Sequence, residues 1–285
     1  MFYLVFSIIC SVTVGSIFKI SKRYQVCASQ IVMWNYVLAL VLCYLFFEPN
    51  LSPVNATAPW AIYLPLMFLL PLVFMFLAMS IKHMGIVRTD AAQRLSLFIP
   101  VLAAWLIFKE DFNVQKIIGL AVGFPAIFLI LSKKSDTNNK KWVYPALVLF
   151  GFGVVDVLFK QIALYTVLPY TTSLFVVFAG SLTISCLTVM YQIFIKGIKP
   201  RIINFAFGTL VGIFNFGNIL FYLKAHKQFA DSPSTVFAAM NIGVILLGSL
   251  VGIAVFKEKV SKYNYAGLVL AVCAIVLITL SQLYN

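Results

Sequence analysis

Five ionisable side chains sit where an apolar chain carries few. Asp90 and Arg94 are four residues apart in one hydrophobic stretch, Asp156 and Lys160 are four apart in another, and Lys19 closes a third. A spacing of i, i+4 puts both members of each pair on one helical face. An ionisable group at membrane depth is costly unless paired or hydrated, so each is a candidate for binding or proton transfer. The chemistry on offer is recognition of a charged small molecule, or passage of a proton through a carboxylate, for which Asp156 beside Lys160 is the first choice. The plainer alternative is that each acid neutralises its own base as an internal ion pair, with Lys19 snorkelling to the interface beside Lys22 and Arg23.

Neutral polar residues extend the set: Trp34 and Asn35, Gln93 beside Arg94, Gln161 beside Lys160, then Asn215, Asn218 and Tyr222, and finally Asn241. Asn215, Asn218 and Tyr222 recur at i, i+3 and i+7, one face of a helix. Such groups either line a cavity or serve as interhelical hydrogen-bond glue. For Asn218 and Asn241 the apolar, glycine-rich surroundings favour the cavity. The candidate substrate-binding set is therefore Lys19, Trp34, Asn35, Arg94, Asp156, Lys160, Asn215, Asn218, Tyr222 and Asn241. With Lys19, Arg94 and Lys160 facing two carboxylates, the excess positive charge favours an anionic or zwitterionic solute.

The elements that must hold these residues are membrane helices. Hydrophobic residues make up 62% of the 285, charged residues only 10%, and the mean hydropathy is +1.02. A soluble domain carries roughly 25% charged residues. The net charge of +13 is scattered through short gaps between apolar runs and forms no continuous basic surface, which argues for phospholipid headgroups rather than nucleic acid. Five cysteines without a C-x-x-C pair point to neither a disulfide framework nor a zinc site. The first segment lacks a basic leader and a small-residue cleavage site, so it is expected to stay as a helix.

A bilayer crossing takes roughly 20 mostly apolar residues. The chain divides into ten such spans, at about 2–20, 28–47, 59–81, 87–108, 113–132, 142–165, 170–194, 202–223, 233–256 and 262–283. The hydrophilic stretch 133–141 separates a first five-helix unit, 1–132, from a second, 142–285. Phe108-Lys109-Glu110 returns as Phe256-Lys257-Glu258, 258 − 110 = 148 residues later, and Gly119, Leu120, Ala126 and Ile127 match Gly267, Leu268, Ala274 and Ile275 at that offset. Near the start of each unit, Val14, Phe18, Lys19 and Tyr24 match Val155, Phe159, Lys160 and Tyr165 at 160 − 19 = 141. An odd number of spans per unit forces the second copy into the membrane from the opposite side, so the expected fold is all-α, ten transmembrane helices as two inverted repeats. Glu110 and Glu258 are expected to orient the turns into the next helices by favouring their N-termini. The pairs Gly119/Gly123, Gly208/Gly212 and Gly248/Gly252 are expected to permit close helix packing.

The pattern resembles the drug/metabolite transporter superfamily in its ten-helix, EamA-like form. The resemblance rests on the stretch from Ser96 through Pro100 to Phe108-Lys109-Glu110 and Gly119, and on its echo from Phe256-Lys257-Glu258 to Gly267. It covers essentially the whole chain. It departs from strict repetition at Gly248, which falls where Pro100 would map. The resemblance implies a single inverted-repeat bundle with a central cavity that carries a small metabolite or drug; the expectation built on it is a secondary transporter working by alternating access on a small polar metabolite or drug, driven by exchange or by protons. With no catalytic or metal-binding motif in the chain, no cofactor, metal or enzymatic activity is expected. Expected partners are a small-molecule substrate, the lipid bilayer and, where coupling is protonic, protons, in a monomer or homodimer of a bacterial inner membrane.

Basic residues concentrate in the odd-numbered connections, among them Lys22, Arg23, Lys82, Lys133, Lys199 and Lys259, against Lys109, Lys116, Lys224 and Lys227 in the even ones. The positive-inside rule then puts the odd connections in the cytoplasm and both termini outside. The resemblance implies cytoplasmic termini instead, so the two expectations oppose each other. Against other classes, the chain has no H-E-x-x-H, G-x-S-x-G or Walker motif, which leaves an intramembrane enzyme or ATP-driven pump without parts. A flippase for a lipid-linked or amphiphilic substrate is the alternative within the same fold.

Overall fold

Lipid offers the backbone no hydrogen-bond partners, so a spanning chain must satisfy its N–H and C=O groups within its own helices. The computed structural model describes residues 2–55, 58–96, 98–99, 102–103, 114–131, 142–165, 167–228 and 233–283. Ten α-helices have bounds among the described residues: α1 Phe2–Ser21, α2 Ala28–Phe47, α3 Trp60–Met84, α4 Ile86–Leu95, α5 Val114–Leu131, α6 Val143–Leu164, α7 Tyr170–Phe194, α8 Ile202–Gln228, α9 Pro233–Leu250 and α10 Lys262–Leu283. A π-helical turn, Val251–Val255, prolongs α9. Every helix falls on an expected span. Glu110, Pro100 and the 133–141 stretch lie outside the described residues, as does the side chain of Lys160.

Helix ends follow local chemistry. Glu48 terminates α2 in the left-handed region (φ 44°), its N–H donating to the Tyr44 carbonyl, and Pro49 cannot continue the helix. Gly85 ends α3 at φ 89°, ψ 173°, a conformation reserved for glycine, and lets the chain re-enter at once as α4. Among the described residues, five helices are long and apolar enough to cross a membrane by themselves: α1, α2, α3, α7 and the Ile202–Ala225 part of α8. Phe68, Phe150, Leu187 and Val269 are among many large apolar side chains left exposed on the outside, as a lipid-facing surface requires.

Packing joins the two halves throughout. Helix α1 lies on α8 and α9, α2 on α7 and α8, α3 on α6 and α7, α4 on α6 and α9, and α5 on α10. Gly208 meets the Cβ of Trp34 and the Ile31 carbonyl, and Gly212 meets Leu38 and the Asn35 carbonyl, so α8 lies flush on the backbone of α2. Gly248 of α9 and Gly252 of the π-helical turn meet the side chains of Asp90 and Val87 of α4. This accounts for the break in the repeat at Gly248, since a side chain there would occupy the space of the Asp90 carboxylate.

Candidate functional site

The short helix α4 brings the most charge into the bundle. Its Asp90, Gln93 and Arg94 follow each other at helical spacing, with Ser96 at its end. Opposite stands α6, carrying Phe152 and Asp156. The serine-and-glycine face of α1 (Ser7, Ser11, Gly15) and the amide face of α8 (Asn215, Asn218, Tyr222) close the sides.

Between them lies a central cavity in two adjoining compartments, of about 210 and 250 Å³. They share Gln93, Phe152, Asp156, Tyr170, Asn218 and Ile219. The first compartment adds Asp90, Asn215, Tyr36 and the rings of Phe74, Phe159 and Phe178. The second adds Arg94, Ser96, Tyr222, Met240 and Asn241.

Arg94 is held from α1, its Nη2 donating to Ser11 Oγ at 2.7 Å. No contact within ion-pair distance joins Arg94 to Asp90, so the i, i+4 neutral pair envisaged from sequence is not formed. The guanidinium instead stands in the field of Asp90 and Asp156 together. Asp90 is 5% exposed while Asp156 is open to the cavity. Ser96 Oγ donates to the Gln93 carbonyl at 2.6 Å and lies 3.5 Å from Asp156 Oδ2. Ser7 Oγ donates to Asn218 Oδ1 at 2.8 Å, fixing that amide. Among the described residues, three buried polar atoms on the lining side chains have no hydrogen-bond partner: Asp90 Oδ2, Arg94 Nε and Tyr36 Oη. Buried polar atoms are ordinarily bonded, so an acceptor, a donor and a hydroxyl remain here for a polar solute.

Of the residues expected to bind substrate, Arg94, Asp156, Asn215, Asn218, Tyr222 and Asn241 are brought together around this cavity. Asn35 lies behind it, its Oδ1 accepting from Asn215 Nδ2 at 3.1 Å. Trp34 packs edge-on against Phe205 at 4.7 Å and is not part of the lining. Lys19 leaves the cavity altogether and pairs with Glu258 at 3.0 Å. Glu258 itself corrects the expectation drawn for it: it serves a helix N-terminus, but that of α4 rather than of the following helix. Its carboxylate accepts from the N–H groups of Ile86 and Val87 at 2.7 and 3.2 Å.

Sequence reasoning missed Ser11, Tyr36 and Tyr170. Ser7, Ser11 and Gly15 recur every four residues on α1, and that small polar stripe is the signal that would have found Ser11. Tyr170 opens α7 directly after Pro169, where it reads as an interfacial anchor. Nothing in the surrounding sequence marks Tyr36. Among the described residues, no group of His, Cys, Asp and Glu is arranged to hold a metal ion.

Residues 1–132 match the model of the EamA-like transporter family. An uncharacterised protein of Haemophilus influenzae is 39% identical over 282 residues, covering 95% of each chain. A crystal structure of 13% sequence identity superposes with a TM-score of 0.63 over 100% of this chain and 98% of that one, a likeness of fold.

Proposed function

The chain belongs to the EamA-like transporter family and is a multi-pass membrane protein with a transport role; on that premise we propose that it is a secondary transporter moving a small zwitterionic metabolite by alternating access. The observation that carries the substrate class is that Arg94 and Asp156 line the same compartment of the cavity. A carboxylate on the solute would meet the guanidinium, its ammonium would meet Asp156, and the amides of Gln93, Asn218 and Asn241 would take the remaining polar atoms. With Lys19 engaged elsewhere, the described lining holds one cation against Asp90 and Asp156. This favours a zwitterion over a simple anion.

Alternating access is supported by the pattern of helix contacts. Exchanging each helix with the one five places along turns α1–α8 into α6–α3, α1–α9 into α6–α4, α2–α8 into α7–α3 and α4–α5 into α9–α10, and all eight contacts occur. The pairs α2–α7, α4–α9 and α5–α10 map onto themselves. Such an exchange is what two inverted units, 1–132 and 142–285 joined by 133–141, would produce. The bacterial relative fits an inner-membrane location.

The reading is tested by thermal stability of the purified protein against amino acids, sugar phosphates, nucleotide sugars, cationic drugs and lipid-like molecules. A ligand bound only by the native state stabilises it by about 2.7 kcal/mol at a hundredfold excess over Kd. Zwitterions are expected to shift the midpoint selectively and saturably and then to exchange in proteoliposomes. A shift confined to amphiphiles would transfer the assignment to a flippase.

A further inference from the structure

At one end of the bundle a single carboxylate ties three segments together. The chain leaves the π-helical turn through Phe256 and Lys257, the latter at φ 52°, and Glu258 N–H donates back to the Gly252 carbonyl at 3.0 Å. This turns the Glu258 side chain away from the following helix α10 and across to α4. There Oε1 accepts from Ile86 N–H at 2.7 Å and lies 3.0 Å from Lys19 Nζ, while Oε2 accepts from Val87 N–H at 3.2 Å. The first N–H groups of a helix have no partner within it and carry the positive end of its dipole, so an anion is the natural cap. Gly85 and Gly252 flank the carboxylate, and a methyl group at Gly85 would overlap it.

The cavity stops just short of this cluster. Gly15 lines it and lies one helical turn, about 6 Å along the axis, before Lys19. Asp90 lines it and lies one turn after Ile86. On α3 the lining reaches Leu77, about two turns before the α3–α4 connection, while on α7 and α8 it runs toward the opposite end, through Tyr170 in the first turn of α7 and Tyr222 and Leu223 late in α8. Beyond the cavity at the α3–α4 end, Lys19, Ile86, Val87 and Glu258 therefore form the closing layer between α1, α4 and α9. To open there, α4 must part from α1 or from the α9–α10 connection, and either movement breaks bonds to this carboxylate. Its side chain and that of Lys19 are 11% and 20% exposed, close enough to water for both to be hydrated after separation.

We propose that Glu258, with Lys19 and the N-terminus of α4, is the latch that closes the bundle end bearing the α3–α4 and α9–α10 connections. It also positions α4, and through it Asp90, Gln93 and Arg94 in the cavity. The proposal rests on the alternating-access reading above.

The test uses the full-length protein with its native cysteines replaced and one cysteine introduced at the cavity-lining Val14. Membrane vesicles of both orientations are treated with a membrane-impermeant maleimide. With the latch intact, labelling from the α3–α4 end should be slow. Glu258→Gln keeps the size and a carbonyl acceptor but removes the charge; it should raise labelling from that end at least tenfold and lower it from the other. Lys19→Gln should reproduce the shift, and it decides the matter if the Glu258 variant fails to fold. Unchanged rates, or rates raised equally from both ends, would overturn the latch and leave Glu258 as static packing. Reciprocal changes on adding a zwitterionic solute, without any response to Glu258→Gln, would remove the latch and retain the transporter. No labelling from either end in any variant would overturn both.

Discussion

Gly85→Ala offers a quantitative check of how α3, α4 and the α9–α10 connection are fastened. The backbone at Gly85 has φ 89° and ψ 173°, a conformation costing a side-chain-bearing residue about 1–3 kcal/mol. The added methyl also overlaps the Glu258 carboxylate, which lies against the position a Cβ would take. If Glu258 is pushed away, two hydrogen bonds from Ile86 and Val87 and the Lys19 contact are lost with it. Hydrogen bonds to a charged group contribute about 1.5–3 kcal/mol each, and the exposed part of the ion pair adds little. Strain plus partial loss of the cap amounts to about 3–5 kcal/mol. The measurement is a double-mutant cycle in equilibrium unfolding of the detergent-solubilised protein, with Gly85→Ala, Glu258→Ala and the double variant. Once Glu258 is truncated there is room for the methyl, so Gly85→Ala should then cost only its backbone strain. The coupling between the sites should be at least about 1.5 kcal/mol. Additivity within about 0.5 kcal/mol would refute the contact, because residues that do not touch add to that tolerance.

Other outcomes follow from the same packing and charge arguments. Gly212→Leu should weaken the bundle by about 1–3 kcal/mol through overpacking of α8 on the α2 backbone, seen in the same unfolding assay, whereas Gly197→Ala, in open space on a connection, should not drive helices apart. Arg94→Ala should abolish the zwitterion-induced thermal shift, while Ser11→Ala, which removes only the hydroxyl holding the guanidinium, should weaken it several-fold. If Asp156 carries the coupling proton, Asp156→Asn should make transport indifferent to pH; an unchanged pH profile would take Asp156 out of the coupling. If the duplication is inverted, Glu110→Gln, the sequence counterpart of Glu258→Gln, should lower maleimide labelling from the α3–α4 end instead of raising it.

The ten helices were legible in the sequence because each is a separate hydrophobic run, cut by prolines, glycines or lysines, and lipid leaves such a run no other regular structure. The cavity was partly legible for a related reason. Asp156, Arg94, Asn215, Asn218, Tyr222 and Asn241 are polar groups in apolar surroundings, and a membrane bundle has few places to keep them apart from a wet interior. Trp34 and Asn35 carry the same sequence signal, yet they sit at the α2–α8 packing: Phe205 and Gly208 take up Trp34, and Asn215 donates to the Asn35 Oδ1. Which face of α2 meets α8 is a property of the assembled bundle, and no spacing within α2 encodes it.

Glu258 marks the boundary of what local sequence can say. Its chemistry was readable, a carboxylate suited to a helix N-terminus, and the nearest such terminus along the chain is that of α10. The competing terminus, at Ile86, is 258 − 86 = 172 positions away. Its advantage is geometric: Gly85 re-enters the membrane with no side chain and leaves two N–H groups pointing at the π-turn, with Lys19 alongside. The N-terminus of α10 does not need Glu258, because Ser261 and Asn264 bond to each other across its first turn, Asn264 N–H donating to Ser261 Oγ at 3.2 Å and Ser261 N–H to Asn264 Oδ1. That reciprocal cap, a Ser three residues ahead of an amide side chain, is a local sequence signal. It releases the glutamate for the distant helix, so the local cap is what makes the long-range one available.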